Sequence, residues 1–204
     1  MRYSVFMFLL AAAAMLFTAP AHADEAAEVF VQQILDEAEP YLNTSSEAER
    51  LEGISELVEK YVDMRRVSRF VLGQYARRLT DEQKAEYEPL FKTYATQVYQ
   101  KVLSEYSGQK LVVTDSIDRS ERDIIVNSKI AKSASSGALG DVTVHWRIYR
   151  NGSGEMKIVD AGADQVLLAL EQRGTFTNII ANNGGVPAGV DALIAELRQQ
   201  TGGA

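Results

Sequence analysis

Side chains that commonly carry out catalysis are scarce in this chain. It has no cysteine and two histidines, and only His145 lies beyond residue 23. Without cysteine there is no thiolate nucleophile, zinc–cysteine site or disulfide. A single histidine offers neither a histidine metal site nor a base with an evident partner, and no Gly-x-Ser-x-Gly nucleophile turn occurs. The sequence therefore predicts that the protein is not an enzyme, and it implies no metal and no cofactor.

Five arginines lie close together in a chain that is acidic as a whole. Lysine and arginine number 21 against 28 aspartate and glutamate, which gives a net charge of −7. This cluster could contact phosphate head groups or an acidic partner, because guanidinium groups pair well with both. The alternative, which the composition favours, is that the arginines lie on a solvated face with acidic neighbours. An acidic chain without a basic tract argues against nucleic acid as a ligand. The five are Arg65, Arg66, Arg69, Arg77 and Arg78.

Residues 1–23 have the three parts of a secretory signal peptide. Arg2 gives a positive start, an apolar run follows, and Ala21-His22-Ala23 has the small-x-small pattern of a cleavage site. No later segment reaches the roughly 20 apolar residues that span a bilayer. We therefore expect export to the periplasm and a single mature domain, residues 24–204. Because residues 1–23 carry Arg2 as their one charged side chain, the mature net charge changes from −7 to −8.

Helical periodicity dominates the first half of the mature chain. A helix should end near Asn43, and the capping boxes Ser46-x-x-Glu49 and Thr80-x-x-Gln83 should open two more. The stretch 63–73 is expected to be short and irregular. The last helix of this half should run to about Tyr106. One face of it carries Tyr87, Phe91, Tyr94 and Val98.

The second half changes to strand periodicity and then returns to helix. Four apolar runs, 111–113, 124–126, 142–148 and 156–159, predict four strands, and Asn151-Gly152-Ser153-Gly154 predicts a hairpin turn. Asp164 is expected to be the N-cap of a following helix, and Pro187 should begin the last one. The predicted fold is α+β, with a four-stranded antiparallel sheet packed on one face by N- and C-terminal helices.

Three stretches resemble the MlaC/toluene-tolerance family of periplasmic lipid-binding proteins. Residues 62–75 contain an Asp, a Leu-Gly pair and an aromatic residue in the order of the family's early motif. Residues 80–94 are similar to the family's Thr-x-Glu-Gln, Phe-x-x-Leu and Tyr pattern, with Tyr87 in place of the Phe. Residues 160–176 are a divergent copy of a later motif, and just before them Met156 stands where a tryptophan is usual.

This resemblance implies a carrier that holds a phospholipid by its acyl chains in an apolar cavity between the layers of the fold. It also implies partners, namely an outer-membrane lipoprotein complex and the substrate-binding ring of an inner-membrane ABC transporter. Two acyl chains expose about 30 methylenes, and at ~0.8 kcal/mol each their shielding is worth roughly 24 kcal/mol. The cavity must therefore reach or exceed the upper end of the usual ~300–1,000 Å³.

The expected lining of such a cavity comes from the aromatic helix face, the early motif and the inward side of the sheet. For each residue the alternative is an ordinary close-packed core, because every buried helix shows a stripe at helical spacing. Asp160 and Arg173 match family positions, and we expect an ion pair between strand and helix there. The expected lipid-binding residues are Phe70, Tyr75, Tyr87, Phe91, Tyr94, Val98, Val126, Val144, Trp146 and Ile158.

Other functions remain open from the residues alone. The same fold could hold a hopanoid or another apolar ligand. It could also be a periplasmic adaptor with a solid core and no lipid. A lipid hydrolase that uses a carboxylate pair is the remaining enzymatic option, although no pair stands out among the 28 acidic residues. Ligand identity separates the first of these from a phospholipid carrier.

Overall fold

The computed structural model describes residues 23–104, 110–131, 142–164 and 166–202. Residues 1–22 of the predicted signal peptide, and the predicted helix end near Tyr106, therefore lie outside the described residues. The elements are α1 (Glu25–Asn43), α2 (Glu47–Tyr61), α3 (Met64–Val71), a 3-10 turn (Gly73–Tyr75), α4 (Asp81–Ser104), β1 (Leu111–Ser120), β2 (Asp123–Ile130), β3 (Thr143–Arg150), β4 (Met156–Ala163), β5 (Val166–Leu167), α5 (Leu168–Asn182) and α6 (Ala188–Gln200).

Two of the predicted helix starts are confirmed by their capping hydrogen bonds. At the start of α2, the Ser46 hydroxyl accepts from the backbone N–H of Glu49 at 3.3 Å. Before α4, the Thr80 hydroxyl accepts from the N–H of Gln83 at 3.1 Å, and the Gln83 side chain accepts from the N–H of Thr80 at 3.2 Å. These bonds satisfy N–H groups that a helix start leaves without partners.

The prediction of an irregular stretch after α2 was wrong, because residues 64–71 form the helix α3. The Asp63 carboxylate accepts from the N–H of Arg66 at 2.9 Å and so caps this helix. Val67 and Val71, one turn apart, are both buried. An eight-residue helix is unstable alone, and its burial against other elements stabilises it here. Arg65, Arg66 and Arg69 on the same helix mask this short apolar face in the sequence.

The sheet is antiparallel, in the order β1-β2-β3-β4-β5, so it has five strands and not the predicted four. The additional strand, β5, is two residues long and pairs with Gly162 and Ala163. Asp164 does not cap a helix as predicted. It turns the chain from β4 to β5 with a φ of 53°, a left-handed conformation that aspartate tolerates better than most residues. Helix α5 begins after β5, at Leu168.

Helices cover both faces of the sheet, which corrects the prediction of one covered face. Ile124 and Ile148 are cross-strand partners and pack with Val31 of α1 in one buried cluster. Arg147 and Asp160 are also cross-strand partners and point to the opposite face because side chains alternate along a strand. On that face Asp160 accepts a hydrogen bond from the start of α5.

The buried side chains form two hydrophobic clusters. The sheet cluster joins α1 and Tyr61 to the sheet, and the helical cluster joins α3, α4, α5 and α6. Val62 packs against both, at the point where the chain passes from α2 to α3. Within the described ranges, no helix combines the length and the apolar character needed to cross a membrane.

Candidate functional site

A small apolar cavity lies within the helical cluster, between α3, α4 and α5. Its volume is about 30 Å³, well below the ~300–1,000 Å³ of an ordinary ligand pocket. The cavity is therefore too small to hold the expected lipid in this conformation. Its lining residues are Val67, Val71, Phe91, Tyr94, Ala95, Val98, Tyr99, Leu168, Ala169 and Gln172.

Aromatic rings and one side-chain hydrogen bond connect α4 to α5 around this cavity. The Phe91 ring meets Phe176 edge-on, with centroids 6.1 Å apart, and the Tyr94 ring lies 5.9 Å from Phe176. The Tyr94 hydroxyl donates to Oε1 of Gln172 at 2.8 Å. Burial raises the pKa of Tyr94, so its hydroxyl stays protonated and remains a donor at neutral pH.

Eight of the ten expected lipid-binding residues belong to the two clusters or pack against them. Phe70, Tyr75, Tyr87, Phe91 and Tyr94 belong to the helical cluster or pack against it, whereas Val126 and Ile158 belong to the sheet cluster and Trp146 packs against it. Val144 is half-buried on β3. Three of the ten line the small cavity, namely Phe91, Tyr94 and Val98. Contact of any of them with a lipid stays a prediction.

Seven residues that line the cavity were missed by sequence reasoning. Val67 and Val71 were missed because the helix α3 was not recognised, although their spacing of four residues was a usable indication. Those on α5 follow a strand and a turn that the sequence pattern did not show. The seven are Val67, Val71, Ala95, Tyr99, Leu168, Ala169 and Gln172.

Asp160 is a buried carboxyl group beside this region, and the expected ion pair with Arg173 does not form. Asp160 is 1% exposed, and its Oδ1 accepts from the N–H of Ala169 at 2.8 Å. Its Oδ2 has no hydrogen-bond partner in the described part of the chain. Burial raises the pKa of this carboxyl group, because a charged form is poorly solvated there. Arg173 instead places its guanidinium 4.9 Å from the centre of the Phe70 ring.

A second concave site, here called the arginine cleft, lies between α3, the 3-10 turn, α5 and the β1–β2 end of the sheet. Its volume is about 1160 Å³. Four of the five clustered arginines line it, and Arg78 does not. Three arginines from distant parts of the chain complete the set. The charged lining residues are Arg65, Arg66, Arg69, Arg77, Arg122, Arg147, Arg173, Asp63 and Asp123.

Comparisons with known proteins agree with this fold. No protein of curated function matches the sequence significantly. A solved structure from Ralstonia solanacearum, described as a phospholipid-binding protein in complex with a phospholipid, is similar with a TM-score of 0.68. The similarity covers 86% of this chain and 97% of that chain at 18% sequence identity, which establishes a shared fold. The family model of the MlaC protein matches residues 28–199, and the chain accordingly belongs to the MlaC family.

Proposed function

We propose that this protein is a lipid carrier that encloses the acyl chains of a phospholipid among α3, α4 and α5. The observation that carries this proposal is the apolar cavity in a chain of the MlaC family. The phospholipid complex of the Ralstonia solanacearum protein supports it, because that protein shares the fold. Phospholipid is preferred over a hopanoid on the same grounds.

Lipid entry requires the helices to separate. A cavity of about 30 Å³ cannot hold two acyl chains, which need several hundred Å³ or more. The contacts across the cavity between α4 and α5 are ring contacts and the Tyr94–Gln172 hydrogen bond. All of these contacts are between side chains, so none of them joins the two helix backbones directly. Val102, one turn beyond Val98 on α4, is 49% exposed and extends the apolar surface beyond the cavity. Moving α5 away from α4 would join these surfaces into one lipid-sized space.

The carrier would work in the periplasm after removal of residues 1–23. Support for this cleavage position comes from Asp24, the first residue of the mature chain. Its backbone N–H donates to the Ser116 hydroxyl at 2.7 Å, and its carboxylate caps α1 and pairs with Arg150 at 2.7 Å. The folded domain is thus anchored from Asp24 onward. Shuttling between an outer-membrane complex and an inner-membrane transporter follows from the family resemblance and is part of the proposal.

Native mass spectrometry tests the carrier function directly. The mature protein is purified without detergent from a Gram-negative periplasm and its bound lipids are extracted. The expected result is a near-stoichiometric phospholipid adduct. A hopanoid adduct would support the carrier function but show that the ligand is a hopanoid and not a phospholipid. A bare mass, together with no uptake of labelled lipid from vesicles, would reject the carrier in favour of an adaptor with a solid core.

A further inference from the structure

We propose that the arginine cleft is a binding site for a phosphate-bearing anion, separate from the apolar cavity. Seven arginines and no lysine line it, against two aspartates. The protein as a whole carries a net charge of −7, so the cleft concentrates positive charge against the overall balance. Arginine is the cation suited to bidentate recognition of phosphate oxygens, whereas lysine acts as a point charge.

Most of the cleft arginines have no ion-pair partner among the described residues. Arg66 pairs with Asp63 at 3.2 Å, and Arg147 pairs with Asp123 through two hydrogen bonds of 2.8 and 3.0 Å. Both acidic residues of the cleft are thereby used. Within the ranges that the structure describes, the remaining five arginines of the cleft form no ion pair: Arg65, Arg69, Arg77, Arg122 and Arg173.

Several of the guanidinium groups are held in place before any ligand arrives. The Arg66 guanidinium lies 3.5 Å from the centre of the Tyr149 ring, and that of Arg173 lies 4.9 Å from Phe70. Arg147 is fixed by its paired hydrogen bonds to Asp123. Stacking and ion pairing reduce the side-chain entropy that binding would otherwise cost. The cleft is therefore better organised for an anion than a set of mobile surface arginines.

A phosphate group fits this arrangement better than a carboxylate. A phosphate monoester offers three strong acceptor oxygens and up to two negative charges, so a single group can accept from several arginines. A carboxylate has two oxygens and is largely satisfied by one bidentate arginine. The cleft, at about 1160 Å³, also has room for the molecule to which the phosphate is attached.

The cleft and the apolar cavity are lined by different side chains of the same two helices. On α3, Arg69 lines the cleft whereas Val67 and Val71 line the cavity. On α5, Arg173 lines the cleft whereas Ala169, one turn earlier, lines the cavity. The two sites share no lining residue, so the phosphate site goes beyond the lipid-tail site proposed above and its test is independent.

The test compares neighbouring arginines by NMR of the arginine Nε–Hε groups. The mature protein is titrated with inorganic phosphate, and with sodium chloride at equal ionic strength as the control. We expect phosphate to shift the resonances of the cleft arginines and to leave that of Arg78 unchanged. In Arg69→Gln/Arg77→Gln the Kd for phosphate should rise about tenfold or more, since two charge-assisted hydrogen bonds are lost. The matched variant Arg78→Gln removes the neighbouring charge and should bind normally.

A second measurement identifies where the phosphate comes from. Flotation with vesicles of phosphatidic acid and phosphatidylcholine, and with phosphatidylcholine alone, measures capture by a lipid surface. Capture that is lost in Arg69→Gln/Arg77→Gln supports a lipid head group as the source, and a response to inorganic phosphate alone supports a soluble phosphate.

Equal shifts of all arginine resonances, or an unchanged Kd in the double variant, would overturn the proposal. Tighter cleft binding of hexaglutamate than of phosphate would overturn it in favour of an acidic protein. Retention of co-purified lipid by the double variant keeps this result separate from the carrier proposal.

Discussion

Tyr94 of α4 donates its hydroxyl hydrogen to Gln172 of α5 across a distance of 2.8 Å, directly beside the small apolar cavity. The two residues are 78 positions apart in the chain and connect the two helices that would separate in the lipid entry proposed above. Both residues line the cavity, so this hydrogen bond joins its two walls. It is also the polar contact whose loss would be simplest to measure.

Replacing Tyr94 by phenylalanine should make lipid exchange faster. The ring contacts with Phe176 are kept, whereas the bond to Gln172 is lost, at a cost of about 1 kcal/mol in the free energy of unfolding. Transfer of fluorescent phospholipid between protein and vesicles measures the exchange rate. Tyr41→Phe is the matched control, because the Tyr41 hydroxyl binds Glu56 at 3.4 Å on the distant α1–α2 pair. An unchanged rate in Tyr94→Phe would show that this bond does not restrain opening.

A charge inside the cavity should abolish lipid retention. Val98 lines the cavity, so in Val98→Glu the carboxylate would have to be desolvated by the acyl chains. Val29→Glu is the control, since Val29 is 61% exposed on α1. Native mass spectrometry should show lipid on Val29→Glu and none on Val98→Glu, with circular dichroism confirming that both fold. A folded Val98→Glu that keeps its lipid would place the tails elsewhere, for example against Trp146 in the sheet cluster.

Two glycines of the α5–α6 region should respond oppositely to alanine. A Cβ at Gly189 would collide with the backbone carbonyl of Ile180, where α6 packs against α5. Gly189→Ala should therefore lower the free energy of unfolding by about 1–3 kcal/mol. Gly174 lies on α5 with open space around its Cβ position, and Gly174→Ala should raise stability by about 0.5–1 kcal/mol. Urea denaturation measures both, and equal effects would contradict the close α5–α6 contact.

Asp160 should make the protein less stable as the pH rises. Burial raises the pKa of its carboxyl group above the ordinary value of 3.8, so the folded state holds a proton that the unfolded state has released. Stability from this group is complete below pH 3.8 and is lost as the pH rises through the raised pKa of the folded protein.

Asp160→Asn removes this titration and provides the comparison. The free energy of unfolding of the wild type minus that of the variant should fall with rising pH across the same interval. A series of denaturation curves at increasing pH gives this difference. A flat or rising difference would mean that Asp160 titrates as an ordinary or an ion-paired carboxyl group.

The elements that sequence reasoning predicted well are those fixed by neighbours in the chain. Ser46 and Thr80 mark helix starts because each caps an N–H group three residues ahead. The apolar face of α4 was visible because Tyr87, Phe91 and Tyr94 repeat at helical spacing, and Tyr87 and Phe91 are indeed buried. Family membership could also be inferred, since its motifs are short and local. Helix α3 and strand β5 were missed because neither is long enough to show a period, and contacts with the rest of the fold stabilise them.

The sequence by itself determined the α+β class, most of the helices and strands, the scarcity of catalytic side chains and the family. The tertiary structure alone decided which side chains share a site. Arg69, Arg122 and Arg173 belong to one cleft although more than 100 residues separate the first from the last, and Val67 meets Ala169 around one cavity. It likewise decided that Asp160 is buried and that its expected ion pair with Arg173 does not form. Local patterns report hydrogen bonds and burial within one element, whereas a site depends on how several elements pack, which no spacing along the chain encodes.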